Sequence, residues 1–374
     1  MITLSPHPHL LETRMPDLSL FAPAPLGALT LSNRLVMAPM TRNRAEGNVP
    51  NALMAEYYGQ RAGAGLILTE GTSPSPNGLG YARIPGLYSE AQVAGWKVVT
   101  QAVHAKGGRI FAQLMHTGRV GHPLNLPKGA ELLGPSAIAA SGEMFTDQKG
   151  LQPHPAPRAM TEADLGKTRD EFVHAAKNAV AAGFDGVELH GANGYLLEQF
   201  ISPNTNQRTD AYGGSVEKRT RFVLEVAQAV AGAIGGGKVG IRLSPYGVNA
   251  GMTAYAEIDE THLLLTKKLA ATGIQYVHVV DHSAMGAPPV PDALKAAMRK
   301  AWPRTFILCG GFDRAKAEAA LRDGRADLVA FGRPFLANPD LVTRLEKNLA
   351  LNAPDFGTFY TPGAKGYTDY EALG

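Results

Sequence analysis

The sequence predicts a single eight-stranded (β/α) barrel, and three observations carry that reading. From Asn33 onward, short β-branched or apolar runs alternate with longer helical patterns, and eight such units can be counted. Polar residues and glycines gather where those runs end, which is where a barrel of this kind builds its active site. At 374 residues the chain is long for one domain, yet ordinary for one barrel with elaborated loops.

The strand candidates are NRLVMAPM near 33, GLILTEGT near 65, GRIFAQLM near 108, DGVELH near 185, KVGIRLSP near 238, IQYVHVVD near 274, RTFILCGG near 304 and ADLVAFGR near 326. Each is followed by a helix-like stretch, except that the third first runs into residues 116–160. That segment is rich in Pro and Gly and has no sustained period. A loop of that length in a compact domain is usually a functional lid, expected here over the barrel mouth. The aromatic, Gly-rich tail after Asn352 is expected to pack back on the body, so that residues 20–374 form the barrel with its lid and tail. Residues 1–19 read as a loose extension, with Met15 as an alternative start. No internal repeat other than the βα unit is visible.

Composition narrows the function classes. Thirty-six basic and 33 acidic residues leave a formal charge of +3. They are spread without runs, which gives no pull toward nucleic acid or anionic lipid and points to small-molecule partners. Cys309 is the only cysteine, which excludes disulfides within the chain, Fe–S clusters and Cys-based zinc sites and suits a reducing cytosol. No apolar run reaches the roughly 18 residues needed to span a bilayer, and the opening MITLSPHPHLLETR lacks a signal-peptide core. A cytoplasmic chain is expected.

Two phosphate-loop mimics are rejected. GGGKVG at Gly235–Gly240 matches a dinucleotide fingerprint by letter but leads into a strand instead of opening a helix after one, and Val239 stands where a phosphate loop needs Ser or Thr. Both read as a flexible turn on the quiet face of the barrel. His278 and His282 have helical spacing, but His278 lies in a strand pattern and no H-E-x-x-H occurs, so no metal site is expected.

The strand ends carry the candidate chemistry. The first ends in Pro39, Met40 and Thr41, the second in Thr69, Glu70 and Gly71, and the third reaches Gln113 and His116. The fourth ends in His190, followed by Asn193 and Tyr195, and the fifth carries Arg242. A guanidinium inside a barrel strand is costly unless it is paired. Either it pairs internally with Glu70 or Glu188, or it contacts an anionic or electron-rich ligand. Gly310-Gly311 and Gly332-Arg333 end the last two strands, where barrels often hold phosphate on backbone N–H groups; each pair alone is equally a tight turn. His190, Asn193 and Tyr195 are either satisfied core polar groups or two donors for a carbonyl oxygen beside a phenol able to give a proton.

With NRLVMAPMTR, FAQLMHTGR, HGANGYLLEQFISP, NQRTDAYGGS, ILCGGF and GRPF falling in order at those strand ends, the chain resembles the Old Yellow Enzyme family of flavin-dependent ene-reductases from Leu20 to Leu373. The resemblance implies FMN across the barrel mouth. Pro39, Met40, Thr41, Gly71, Gln113 and Arg242 would lie along the flavin, and Gly310, Gly311, Gly332 and Arg333 would hold its phosphate. His190 and Asn193 would bind the substrate carbonyl, with Tyr195 as proton donor and Tyr81, Met115 and Tyr360 as further substrate contacts. Asn193 replaces a second histidine found in many members, and Met115 stands where several carry tryptophan, so substrate preference is not carried over. Thr41 stands where another branch has cysteine.

The reaction implied has two halves at one site. NADPH or NADH reduces the flavin and leaves; an activated alkene (enone, enal or nitroalkene) then accepts hydride at its β-carbon while Tyr195 protonates the α-carbon, with nitrate esters as alternative electron acceptors. The partners are these small molecules, with no nucleic acid or membrane, and the assembly is a monomer or homodimer. The larger dienoyl-CoA reductases need an Fe–S centre that one cysteine does not provide. A flavin- or phenol-binding protein without turnover is the rival outside enzymes. A metal-dependent lyase or aldolase would need a carboxylate and histidine cluster that the strand ends lack.

Overall fold

Period-two alternation in a closed sheet sends every second side chain into the barrel and the rest beneath the helices, so both faces of a barrel strand are buried. The eight expected runs form such strands in the computed structural model, which describes residues 19–373. The expected extension therefore falls outside the described residues except for Ser19, as does Met15.

The chain opens with an antiparallel hairpin, β1 (Ala24–Leu26) and β2 (Leu29–Leu31), followed by β3 (Leu35–Met37), β4 (Leu66–Leu68) and β5 (Ile110–Leu114). Four short strands then leave the barrel: β6 (Leu133–Gly134), β7 (Glu143–Thr146), β8 (Gly150–Pro153) and β9 (Arg158–Ala159). The barrel resumes with β10 (Gly186–Gly191), β11 (Val239–Leu243), β12 (Tyr276–Val280), β13 (Thr305–Cys309) and β14 (Leu328–Phe331). All barrel pairings are parallel, and β14 meets β3 with Val329 opposite Leu35, closing the ring.

The surrounding helices are α1 (Ala52–Gln60), α2 (Glu90–His104), α3 (Glu162–Ala181), the short α4 (Leu196–Ile201), α5 (Val216–Ile234), α6 (Ile258–Ala271), α7 (Asp292–Ala301), α8 (Arg314–Arg322), and the terminal pair α9 (Arg333–Ala337) and α10 (Leu341–Glu346). Local chemistry sets several starts. Asn51 accepts from the Met54 amide, and Ser89–Gln92 and Thr161–Asp164 form capping boxes. α5 buries Phe222, Val223, Val226, Ala227 and Val230, the stripe expected of a helix laid on a sheet.

Register divides the interior into two ends. Val36, Leu66, Phe111, Tyr276, Ile307 and Leu328 fill the lower half with Leu26 and Leu31 of the opening hairpin, which the sequence reading had not resolved. A Cβ at Gly240 would lie 2.1 Å from the Tyr276 ring, so glycine there makes room for the aromatic plug. One step higher, His190 lies opposite Arg242 and Arg242 opposite His278, while Glu188 lies opposite Gln113. The apolar half closes the barrel, and the polar half opens at the C-terminal strand ends. Gly235–Lys238, the rejected phosphate-loop mimic, packs against Gly27 of the hairpin at the opposite end.

Residues 116–160 are less irregular than their composition implied: β7 and β8 form a hairpin, and β6 pairs with β9. Arg119 ties the segment down through the carbonyls of Ala139 and Ala250, and Asn125 donates to the carbonyls of Gly80 and Phe145. After Asn352 the chain runs along buried arginines: Arg42 donates to Phe359 and Gly366 carbonyls, Arg44 to Thr358 and Phe359, and Arg61 to Tyr367. Arg83 joins the two segments, pairing with Asp147 in the β7–β8 turn and donating to the Tyr360 carbonyl at 3.2 Å. Among the described residues no helix is long and apolar enough to cross a membrane.

Candidate active site

A cavity of about 730 Å³ opens where the barrel strands end. Pro39, Met40 and Thr41 line it after β3, Gly71 after β4, and Gln113 and Met115 at β5. His190, Asn193 and Tyr195 follow from β10, Arg242 from β11, Gly310 and Gly311 after β13, and Gly332 and Arg333 after β14. Tyr81 and Tyr360 complete the wall, so the residues expected to touch flavin or substrate meet on one cavity. Thr69, Glu70 and His116 do not line it. Glu70 is buried behind it, accepting from Tyr58 Oη and the Arg42 amide, and burial pushes its carboxyl up to about 7.

Arg242 is 4% exposed and forms no ion pair among the described residues. Its one hydrogen bond among the described residues runs from Nη2 to Cys309 Sγ at 3.9 Å, and Nε and Nη1 have no partner among them. The internal pairing left open by the sequence is thus absent. Glu188 is already committed to His278 Nδ1 at 2.8 Å and Gln113 Nε2 at 2.9 Å, and Glu70 to Tyr58. Because Gln113 gives its N–H to Glu188, its Oε1 is left as an acceptor toward the cavity. A buried guanidinium with unmet donors requires a partner from outside the chain.

At the end of β10, His190 Nδ1 accepts from the Ala192 amide at 3.3 Å, which assigns the ring proton to Nε2. Burial, aided by the Arg242 charge, holds His190 well below the usual imidazole range and keeps it neutral. Asn193 adopts φ 59°, a left-handed conformation that asparagine tolerates far better than branched residues. Its backbone N–H donates to Ser244 Oγ at 2.8 Å; Ser244 in turn donates to Glu198 Oε1 at 2.7 Å, and Gly194 N donates to Glu198 Oε2 at 2.5 Å. Burial pushes the Glu198 carboxyl up to about 7, opposed by those two donors.

Tyr195 opens α4, with its ring edge-on to His190 at a centroid distance of 4.8 Å and its hydroxyl 3.0 Å from that of Tyr81. Burial, with Tyr81 alongside, holds the Tyr195 phenol well above its usual range, and burial pushes Tyr81 up to about 12. Sequence reasoning missed Glu198, His282, Cys309, Phe312 and Phe359. His282 and the last three line the cavity. The available signals were a carboxylate inside an apolar helical run and a histidine just beyond a strand end.

A profile of the NADH:flavin oxidoreductase / NADH oxidase family matches residues 19–352. The chain belongs to this family, the Old Yellow Enzyme family. Chanoclavine-I aldehyde reductase of Penicillium roqueforti is 43% identical over 94% of this chain and 95% of that protein. Among solved structures, morphinone reductase in complex with tetrahydroNAD superposes with a TM-score of 0.90 at 45% identity over 95% of this chain and 98% of that one. The Old Yellow Enzyme homologue from Zymomonas mobilis gives 0.91 at 40% identity over 95% and 100%. The enzyme is accordingly a nicotinamide-dependent flavin oxidoreductase with FMN as its cofactor.

The cavity fits that cofactor. It offers a buried cation with unmet donors for an electron-rich ring and an oriented amide at Gln113. Glycines at the last two strand ends line it together with Arg333, an exposed cation without an ion pair among the described residues. At Gly310, which lines the cavity, φ is 133° and a Cβ would lie 2.2 Å from the Asp281 carbonyl, so only glycine fits at this strand end.

Proposed function

We propose that this protein is an ene-reductase that reduces the C=C bond of alkenes activated by a carbonyl or nitro group, using NADPH or NADH. The observation that carries the reading is the grouping of an unpaired, buried Arg242 with two neutral oxygen-binding donors and a phenol on one cavity. Bound FMN would supply the redox chemistry of this site, the two-electron exchange between nicotinamide and alkene. A tetrahydroNAD complex of the related morphinone reductase supports the nicotinamide half.

The chain's own residues do the rest. Arg242 places its unmet N–H groups against the electron-rich edge of the ring system, where a fixed positive charge favours the reduced cofactor. Thr41 and Gln113 hold the remaining polar edge of the ring. Gly310, Gly311, Gly332 and Arg333 cradle the phosphate. His190 Nε2–H and the Asn193 amide N–H bind the acceptor oxygen and stabilise the negative charge that develops there. Tyr195 delivers a proton to the α-carbon, and Tyr81, sharing its hydrogen bond, is positioned to restore it. Met115 and Tyr360 shape the acceptor end, and residues 116–160 act as the lid that keeps water out.

An anaerobic mixing experiment tests the reading: NADPH should bleach the flavin of the purified protein, and 2-cyclohexenone should restore its colour with formation of cyclohexanone. A flavin that NADPH reduces but no enone or nitroalkene reoxidises would leave a flavin-binding protein without this activity.

A further inference from the structure

An asparagine carboxamide is two-faced: half a turn about its last bond exchanges a donor for an acceptor. To bind a carbonyl or phenolate oxygen, Asn193 must present N–H and turn its own oxygen away. Its backbone is fixed by Ser244 and Glu198, but that leaves the amide plane free. The one side-chain hydrogen bond to the amide among the described residues comes from His282, whose Nε2 lies 2.7 Å from Asn193 Oδ1. His282 follows the end of β12, two strands round the barrel from β10, and it also lines the cavity.

We propose that His282 is a positioning residue for acceptor binding: it grips the Asn193 carboxamide by its oxygen, so that the amide offers only N–H to the ligand. The bond has a defined polarity. Asn193 Oδ1 accepts only, so Nε2 must carry the proton. Nδ1 is buried, has no partner among the described residues and needs none. Burial, with Arg242 nearby, pushes the imidazole down to about 4, so the ring is neutral and has a single N–H to give. That proton is committed to Asn193. The consequence is selectivity for ligands whose contacting atom is purely an acceptor, such as an enone carbonyl, a nitro group or a phenolate.

The proposal rests on Asn193 acting as an oxygen donor in the function proposed above, and the test separates the two. FMN-loaded protein is titrated with 4-hydroxybenzaldehyde, following the flavin absorbance, in wild type, Asn193→Ala, His282→Leu, His282→Gln and the Asn193→Ala/His282→Leu double variant. His282→Leu is expected to weaken binding about tenfold, the worth of one well-aligned hydrogen bond. His282→Gln, which still offers an N–H to Asn193, recovers most of that. In the Asn193→Ala background the leucine change has no further effect, a result that a merely space-filling role would not give. His282→Phe, which keeps ring bulk and removes both nitrogens, serves in place of leucine if that variant does not hold flavin. Equal losses in both backgrounds, a glutamine variant as weak as leucine, or a leucine variant that binds like wild type while Asn193→Ala does not, each overturn the role of His282 and leave that of Asn193 standing. An Asn193→Ala protein that binds the phenol as wild type does removes Asn193 from the acceptor site, and this proposal with it.

Discussion

Replacing Tyr195 with Phe deletes one oxygen and keeps the ring that packs edge-on against His190. The structural loss is the shared hydrogen bond to Tyr81 at 3.0 Å, worth about 1 kcal/mol. The chemical loss is larger, since a positioned general acid contributes roughly 10² to 10⁴ in rate. Tyr81 keeps its hydroxyl in the same wall, so the expected slowing is roughly 10² to 10³, and the Tyr81→Phe/Tyr195→Phe double variant reaches the upper end of that range. Anaerobic stopped-flow separates the half-reactions. Bleaching by NADPH needs no proton from this phenol and stays near wild type, whereas reoxidation by 2-cyclohexenone slows. A nitroalkene is the internal control, because hydride addition leaves a stabilised nitronate that departs before protonation, so its reoxidation rate falls far less. With Tyr195 held well above the usual phenol range, the wild-type rate with cyclohexenone shows no phenol titration between about pH 6 and 9. A Tyr195→Phe enzyme that reoxidises with cyclohexenone at the wild-type rate refutes the assignment, and water or a group from residues 116–160 must then give the proton.

The chromophore released on denaturation should chromatograph as FMN, and Arg242→Leu should lower flavin affinity by about 10² through loss of charge-assisted hydrogen bonds; released FAD, or full occupancy in the variant, contradicts this. The His190→Ala/Asn193→Ala protein should retain flavin yet lose phenol binding, with each donor worth about 10² to 10³ in enone turnover; an unchanged phenol titration counts against both. Glu198 binds a proton more tightly folded than unfolded, its carboxyl being pushed from 4.5 up to about 7. Its stabilising contribution is therefore complete below about pH 4.5 and lost as pH rises through about 7, an effect of roughly 3 kcal/mol. Glu198→Gln should accordingly melt higher relative to wild type at pH 8 than at pH 5; melting curves whose difference does not change with pH would show that the carboxyl is not perturbed.

What the sequence could reveal depended on how local the signal was. The eight strands were legible because burial on both faces makes each one a continuous apolar run, and the register then follows from closure of the ring. The opening hairpin and the β7–β8 hairpin escaped because their strands alternate in burial over only three or four positions, without the continuous apolar run that marks the equally short β3 and β4. Arg242 could be flagged as a costly cation, but its lack of a partner could not, since that depends on Glu188 being taken by His278, 90 positions further along the chain. His282 was weighed only for metal, by its spacing from His278. Strand geometry instead turns His278 into the barrel toward Glu188 and carries His282 past the strand end to Asn193, 89 positions away. Glu198 lay in plain view among Leu196, Leu197, Gln199 and Phe200. Its meaning emerges only when α4 brings it beneath the left-handed turn at Asn193 and Gly194. Groups that would touch the ligand were thus readable from strand ends, because barrel topology fixes where strand ends go. The groups that aim them were not, because each is defined by a partner on another βα unit. Substrate preference is expected to be written in this second set, and His282 is the member of it that a single titration can test.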